Sequence, residues 1–152
     1  MAGNVKPIPE GYHSITPYLY IKGAANALEF YKKVFGGTEK YRMTMEDGRL
    51  GHAEIKIGDS VIMMADEYPE RNVRGPQSLG GTSVGLMVFV EDVDAVANRF
   101  VAAGGKVERP VQDQFYGDRS GTFADPFGHT WTIATHKEDL SPQEIERRAP
   151  KG

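Results

Sequence analysis

Apolar residues along this chain fall into two kinds of run, and each kind occurs twice. Ile15-Thr16-Pro17-Tyr18-Leu19-Tyr20-Ile21 is rich in β-branched and aromatic residues and predicts a strand. Pro17 stands near its start, where a missing ladder donor costs nothing. Then Ala24, Ala27, Leu28, Tyr31 and Phe35 recur at helical spacing until Gly36-Gly37 stops the run. Residues 39–45, 53–57 and 61–65 predict three further strands, joined by turns at Glu46-Asp47-Gly48 and Gly58-Asp59. The first unit therefore reads βαβββ.

Residues 66–82 carry Pro69, Gly75, Pro76, Gly80 and Gly81 without an apolar period and read as a linker. Beyond it the pattern restarts with a strand over 84–90 and a helix capped by Asp92, whose apolar positions are Val93, Val96, Ala97 and Phe100. Gly104-Gly105 ends that helix, and residues 106–111, 122–124 and 130–135 predict three more strands with turns at Gly117-Asp118 and Gly128-His129. A shift of 69 positions carries Ala24, Ala27, Leu28 and Tyr31 onto Val93, Val96, Ala97 and Phe100. The expected organisation is one domain, 1–152, built from modules 13–67 and 83–136 around the linker. A short surface helix, 141–148, follows, with Ser141 as N-cap, Pro142 in the first turn and Glu144 in capping-box position.

Composition removes several function classes. No apolar run approaches the 18 or so residues a membrane helix needs. Met1-Ala2-Gly3-Asn4-Val5-Lys6-Pro7 has no apolar core of a secretory signal, so a cytoplasmic protein is expected. The chain has no cysteine, which excludes disulfides, thiolate metal sites and a cysteine nucleophile. A net charge of −3 with mixed signs gives no field for phosphate backbones, and nucleic acid is not an expected partner.

Thr16-Pro17-Tyr18-Leu19 leads into Ala27-Leu28-Glu29-Phe30-Tyr31-Lys32-Lys33-Val34-Phe35-Gly36 in the first half. Val90-Glu91-Asp92-Val93-Asp94-Ala95-Val96 and Asp125-Pro126-Phe127-Gly128-His129 stand in the second. With these motifs the sequence resembles the vicinal-oxygen-chelate superfamily, in its glyoxalase/bleomycin-resistance branch. Gly51-His52-Ala53-Glu54-Ile55, Asp113-Gln114-Phe115-Tyr116-Gly117-Asp118-Arg119 and Ala134-Thr135-His136-Lys137-Glu138-Asp139 are similar to a glyoxalase-like subgroup. The resemblance implies an α+β fold in which two βαβββ modules form curved sheets around a cavity. It also implies a homodimer, in some members with modules exchanged between chains.

Enzymes of that superfamily hold a divalent metal through one side chain from the first and one from the fourth strand of each module. Carried onto this chain, those positions fall on Thr16, Met63, Gly85 and Thr132. None supplies the imidazole or carboxylate such an ion requires, so neither metal nor other cofactor is expected. Among His13, His52, His129 and His136, only His52 shares a strand face with a carboxylate, Glu54, by period-2 alternation. Gly81-Thr82-Ser83-Val84-Gly85 spells a nucleophile elbow but lacks the strand before and helix after it.

Strand parity places Ile15, Leu19 and Ile21 against the helix and Thr16, Tyr18 and Tyr20 toward the cavity. The same rule adds Met63 with Val61 and Ala65, then Met87 and Phe89, then Thr130 and Thr132, and it puts Trp131 in the core. Phe115 and Tyr116, near Arg119, would close a rim, with Arg119 and Asp118 either holding an anionic ligand or pairing in the turn. A cavity lined this way suits a small organic ligand. The expected function is a metal-free binding protein of the bleomycin-resistance type. The alternative is a metal-dependent lyase, isomerase or dioxygenase that uses His52 and Glu54 as ligands at non-standard positions. A further variant uses the same pair, without metal, as an acid and base.

Overall fold

A computed structural model describes residues 2–151. The chain divides into two compact units, Met1–Gly75 and Pro76–Gly152. Each holds a four-stranded mixed sheet with a helix on one face, and the fold is α+β.

In the first unit, β1 (Tyr18–Ile21) is followed by α1 (Ala24–Phe35), β2 (Thr38–Thr44), β3 (Leu50–Ile57) and β4 (Ser60–Asp66). The sheet order is β1-β4-β3-β2; β1 runs parallel to β4 and the other pairs are antiparallel. Ala24, Ala27, Leu28 and Tyr31 of the predicted apolar stripe are fully covered, and Val34 rather than Phe35 completes the buried face of α1. Leu19, Ile21, Ile55 and Met64 meet that face from the sheet. Gly36 ends the helix at φ 68°, a left-handed conformation that glycine adopts without strain. The N-terminus of α1 has no cap from its own N-cap residue, Gly23. Asp66, at the end of β4, supplies one: its Oδ1 accepts from Gly23 N and Ala24 N, both at 2.9 Å, and its Oδ2 accepts from Leu50 N at 2.6 Å.

The second unit repeats this plan with β5 (Gly85–Phe89), α3 (Val93–Ala102), β6 (Lys106–Asp113), β7 (Asp118–Ala124) and β8 (Thr130–His136), in the order β5-β8-β7-β6. Asp92 caps α3 as expected, accepting from Ala95 N at 3.1 Å. Trp131 is core, 1% exposed, with Phe100, Phe123 and Ile133. Asp125 is buried beside it and accepts from Phe127 N, His129 N and Trp131 Nε1, each at 2.9 Å. In the tail, α4 (Pro142–Arg148) has the Ser141 cap, whose Oγ accepts from Glu144 N at 3.1 Å, and it buries none of its residues.

Four local expectations change. β1 opens at Tyr18, after Pro17, so Ile15 lies outside the strand and is 88% exposed rather than set against the helix. The central strand β4 is covered on both faces, and Val61 and Ala65 are as buried as Ile62. Asp118 belongs to β7 rather than to the turn before it. The segment read as linker is folded: Pro69–Arg71 is a 3-10 turn closed by Asn72 at φ 60°, Tyr68 bridges Val73, and α2 spans Pro76–Leu79. Gly75 lets this segment lie close on β1, since a Cβ there would sit 2.7 Å from the Tyr20 carbonyl oxygen. Absence of an apolar period left these short turns unseen.

His136, at the end of β8, shares its Nδ1 with Asp118 and its Nε2 with Asp139, both at 2.7 Å. Asp118 foremost, and Asp139, raise the imidazole pKa above 6.5. Because the folded value is raised, this group's stabilisation is complete below the unfolded value and is lost as pH rises through the folded one. An NMR titration should place the His136 midpoint above that of a free histidine and return it toward the ordinary value in Asp118→Asn.

Candidate binding site

The face of the first sheet opposite α1 carries the chemistry. Tyr18 in β1 stands beside Met63 in β4, which stands beside Glu54 in β3, which stands beside Tyr41 in β2. One row of the sheet thus crosses all four strands. Period-2 alternation puts His52 and Glu54 on that face, and their side chains are 24% and 13% exposed.

These residues form one hydrogen-bonded chain. His52 Nε2 lies 2.8 Å from Glu54 Oε2, and His52 Nδ1 lies 2.8 Å from the Tyr18 hydroxyl. Tyr12, from the segment before β1, donates its hydroxyl to the other oxygen of Glu54. Lys40 Nζ lies 4.3 Å from the centre of the Tyr12 ring. A carboxylate only accepts, so Nε2 donates to Glu54, and in the neutral imidazole Nδ1 accepts from Tyr18, whereas in the imidazolium it donates. Burial pushes the Glu54 carboxyl upward. The hydrogen bonds from Tyr12 and His52, with the charges of His52 and Lys40, outweigh it and hold Glu54 below its usual value. Tyr18 is raised, by burial first and then by Tyr20 and the Glu54 charge, and so remains a phenol at neutral pH.

Tyr18 also lines a cleft of about 710 Å³. Tyr20, Met43, Met45 and Tyr68 supply much of its apolar wall, and the Tyr18 and Tyr20 rings are 5.1 Å apart. Gly51 keeps room beneath the methionines, since a Cβ there would meet Met45 Sδ at 2.7 Å. At the rim Arg49 packs 3.8 Å from the centre of the Tyr68 ring and is paired with Asp47 and Glu70. Arg71 lines the same cleft 5.7 Å from that ring. The Tyr68 hydroxyl is buried without a hydrogen-bond partner.

Of the predicted site residues, Tyr18, Tyr20, His52, Glu54 and Met63 come together on this face. Thr16 precedes β1, and the strand register sets Tyr18, not Thr16, beside Met63. In the second unit Met87, not Gly85, pairs with Thr132; Met87 and Phe89 are exposed, and the Thr132 hydroxyl meets Thr122 at 3.3 Å. The shift of 69 that relates the helices also relates these two register pairs. Phe115 and Tyr116 stack edge to face at 5.1 Å in the turn between β6 and β7. Arg119 does not pair with Asp118: it is held by Asp94 at 2.9 Å and Asp113 at 3.3 Å, while Asp118 takes His136.

Tyr18 and Met87, which stand in register with Met63 and Thr132, add no imidazole or carboxylate to the positions Thr16, Met63, Gly85 and Thr132. His52 and Glu54 spend their donor atoms on each other, Tyr18 and Tyr12. Among the described residues no group of three or more His, Cys, Asp or Glu is placed to hold an ion. The donor set does not fit the metal of the superfamily's enzymes.

Sequence reasoning missed Tyr12, Met43, Met45, Tyr68 and Arg71. Met43, near the end of β2, and Met45, just beyond it, are two residues apart and fall on one parity of the predicted strand over 39–45, from which they could have been found. Tyr12 precedes every strand and helix of its sheet, and no periodicity reports its contact with Glu54.

A profile of the Glyoxalase/Bleomycin resistance protein/Dioxygenase superfamily matches residues 12–133. An uncharacterized protein of Mycobacterium bovis, Mb0911c, is 38% identical over 149 residues, covering 96% of this chain and 94% of its own. Among solved structures, TioX from Micromonospora sp. ML1 has a TM-score of 0.63 at 24% identity, over 85% of this chain and 100% of its own. The genomically encoded fosfomycin resistance protein FosX of Listeria monocytogenes has a TM-score of 0.64 at 17% identity, over 88% of this chain and 97% of its own.

Proposed function

This chain belongs to the glyoxalase/bleomycin resistance/dioxygenase superfamily, and within it we propose a metal-free binding protein that holds a small amphipathic organic ligand in the cleft of its first unit. The cleft carries the reading: a space of about 710 Å³ walled by Tyr18, Tyr20, Met43 and Met45. Flat rings stack on tyrosine, and methionine adapts to irregular apolar outlines. Arg71 gives such a ligand a polar neighbour. Kinship of fold with a fosfomycin resistance protein makes a small antibiotic one candidate class.

Anilinonaphthalene sulfonate, an amphipathic aromatic dye, provides the test. Wild-type protein should bind it saturably with enhanced fluorescence. Tyr20→Ala and Met43→Ala should each weaken binding about 10-fold, the worth of part of one buried side chain. Unchanged binding in both variants would place the dye elsewhere and remove the reading. Titration with zinc, nickel, manganese and iron should leave Tm unaltered. A rise in Tm that disappears in His52→Ala would overturn the metal-free part.

A further inference from the structure

We propose that the cleft of the first unit takes an acidic aromatic hydroxyl compound, a phenol or an enol, and binds it as its anion while the Tyr18–His52–Glu54 chain takes up the proton. This rests on the reading of that cleft as a ligand site and names the ligand's chemistry.

Tyr18 is the member of the chain that lines the cleft, and its hydroxyl already lies 2.8 Å from His52 Nδ1. The ligand's O–H bond breaks and its proton passes to the Tyr18 oxygen. The Tyr18 O–H bond breaks in turn, and that proton forms a new N–H bond at His52 Nδ1. Tyr18 ends as a neutral phenol that donates to the ligand's anionic oxygen, and His52 ends as an imidazolium. The Glu54 carboxylate, 2.8 Å from Nε2, compensates the new charge. Its second oxygen is held by Tyr12, so the carboxylate is fixed in place before the ligand arrives. No oxidant, metal or co-reactant enters the balance.

The acidity of the acceptor selects the class. Carboxylic acids, which titrate near ~4, arrive already ionised at neutral pH, with no proton to give. Aliphatic alcohols hold theirs too tightly for imidazole to remove. Phenols and enols with electron-withdrawing substituents lie between, where small stabilisation of the anion decides the proton's position. Their flat bodies match the Tyr20, Met43 and Met45 wall. Other charged and titratable groups near the chain are Lys40 above Tyr12, Tyr20 beside Tyr18, and Tyr41, whose ring centre is 6.2 Å from that of His52; the cleft itself is also lined by Glu46, Asp47, Asp66, Glu70, Arg49 and Arg71, with Arg49 paired to Asp47 and Glu70.

Para-nitrophenol reports the outcome directly, because its anion absorbs in the visible and its neutral form does not. At a pH where the free probe is mostly neutral, probe bound to the full chain should be enriched in phenolate about 10-fold, one pKa unit. His52→Gln and Glu54→Gln should abolish that enrichment while saturable binding of anilinonaphthalene sulfonate persists, and a cooperative urea transition followed by circular dichroism checks that the variants fold. Probe bound as the neutral phenol, or equal enrichment in both variants, would overturn the proposal. So would binding of the dye without saturable binding of para-nitrophenol, and the cleft reading would then stand alone. If neither binds, the cleft reading fails and the proposal with it.

Discussion

Asp66→Ala is expected to lower the unfolding free energy by about 3–5 kcal/mol, measured by urea denaturation followed by circular dichroism. Its side chain takes three backbone N–H groups, those of Gly23, Ala24 and Leu50, and the residue is itself buried. Two of the donors open α1, which has no cap of its own, and the third opens β3. A buried donor left without an acceptor costs about 1–3 kcal/mol, and alanine leaves Ala24 N and Leu50 N in that state, with Gly23 N part-buried beside them. Asp66→Asn keeps one acceptor oxygen and should fall between the two. A loss below about 1 kcal/mol for the alanine variant would mean that water replaces the carboxylate, and the account of the first unit's framework would be wrong.

The second large effect lies in the other unit. Asp125→Ala should cost about 3–4 kcal/mol, because it strands the backbone N–H groups of Phe127 and His129 and the indole N–H of Trp131. Trp131 is the chain's one tryptophan and is 1% exposed, so its fluorescence follows this site directly. A double-mutant cycle, followed by circular dichroism in urea because Trp131→Phe removes the fluorophore, separates the contributions. Trp131→Phe removes the indole donor, so adding Asp125→Ala to it should cost about 1 kcal/mol less than in the native background. Strict additivity of the two substitutions would show that the indole bond contributes nothing to the carboxylate's role.

Neither aspartate shows its task in the sequence. Asp66 reads as the first residue of a linker because its donors stand 16 to 43 positions away, and Asp125 reads as part of a family motif because its role is set by a non-periodic turn and a buried indole. What periodicity did report was apolar. The α1 stripe, the parity of Leu19 and Ile21 against Tyr18 and Tyr20, and the core place of Trp131 follow from residue type and spacing alone. The Asp92 and Ser141 caps were equally legible, since a cap acts within three residues of itself. The pairing of β1 with β4 is not legible in the sequence, because a parallel pair has no turn to set its register. Thr16 with Met63 and Tyr18 with Met63 look alike on paper; the ladder selects the second. The candidate site divided in the same way. His52 and Glu54 were visible as neighbours on one strand, but Tyr12 reaches Glu54 across 42 positions, and the cleft depends on a folded turn over 69–71.

The parallel pairing of β1 with β4, repeated by β5 with β8, also orders events during synthesis. A ribosome delivers Tyr18-Leu19-Tyr20-Ile21 first, yet the strand that receives it is the last of its sheet to emerge. The β2-β3-β4 meander can close as it leaves the tunnel, through turns of a few residues. Until then the opening strand has no partner, and two aromatic rings and two aliphatic side chains face solvent or a chaperone. Each sheet is therefore finished from its far end, and the chain passes through that vulnerable interval twice.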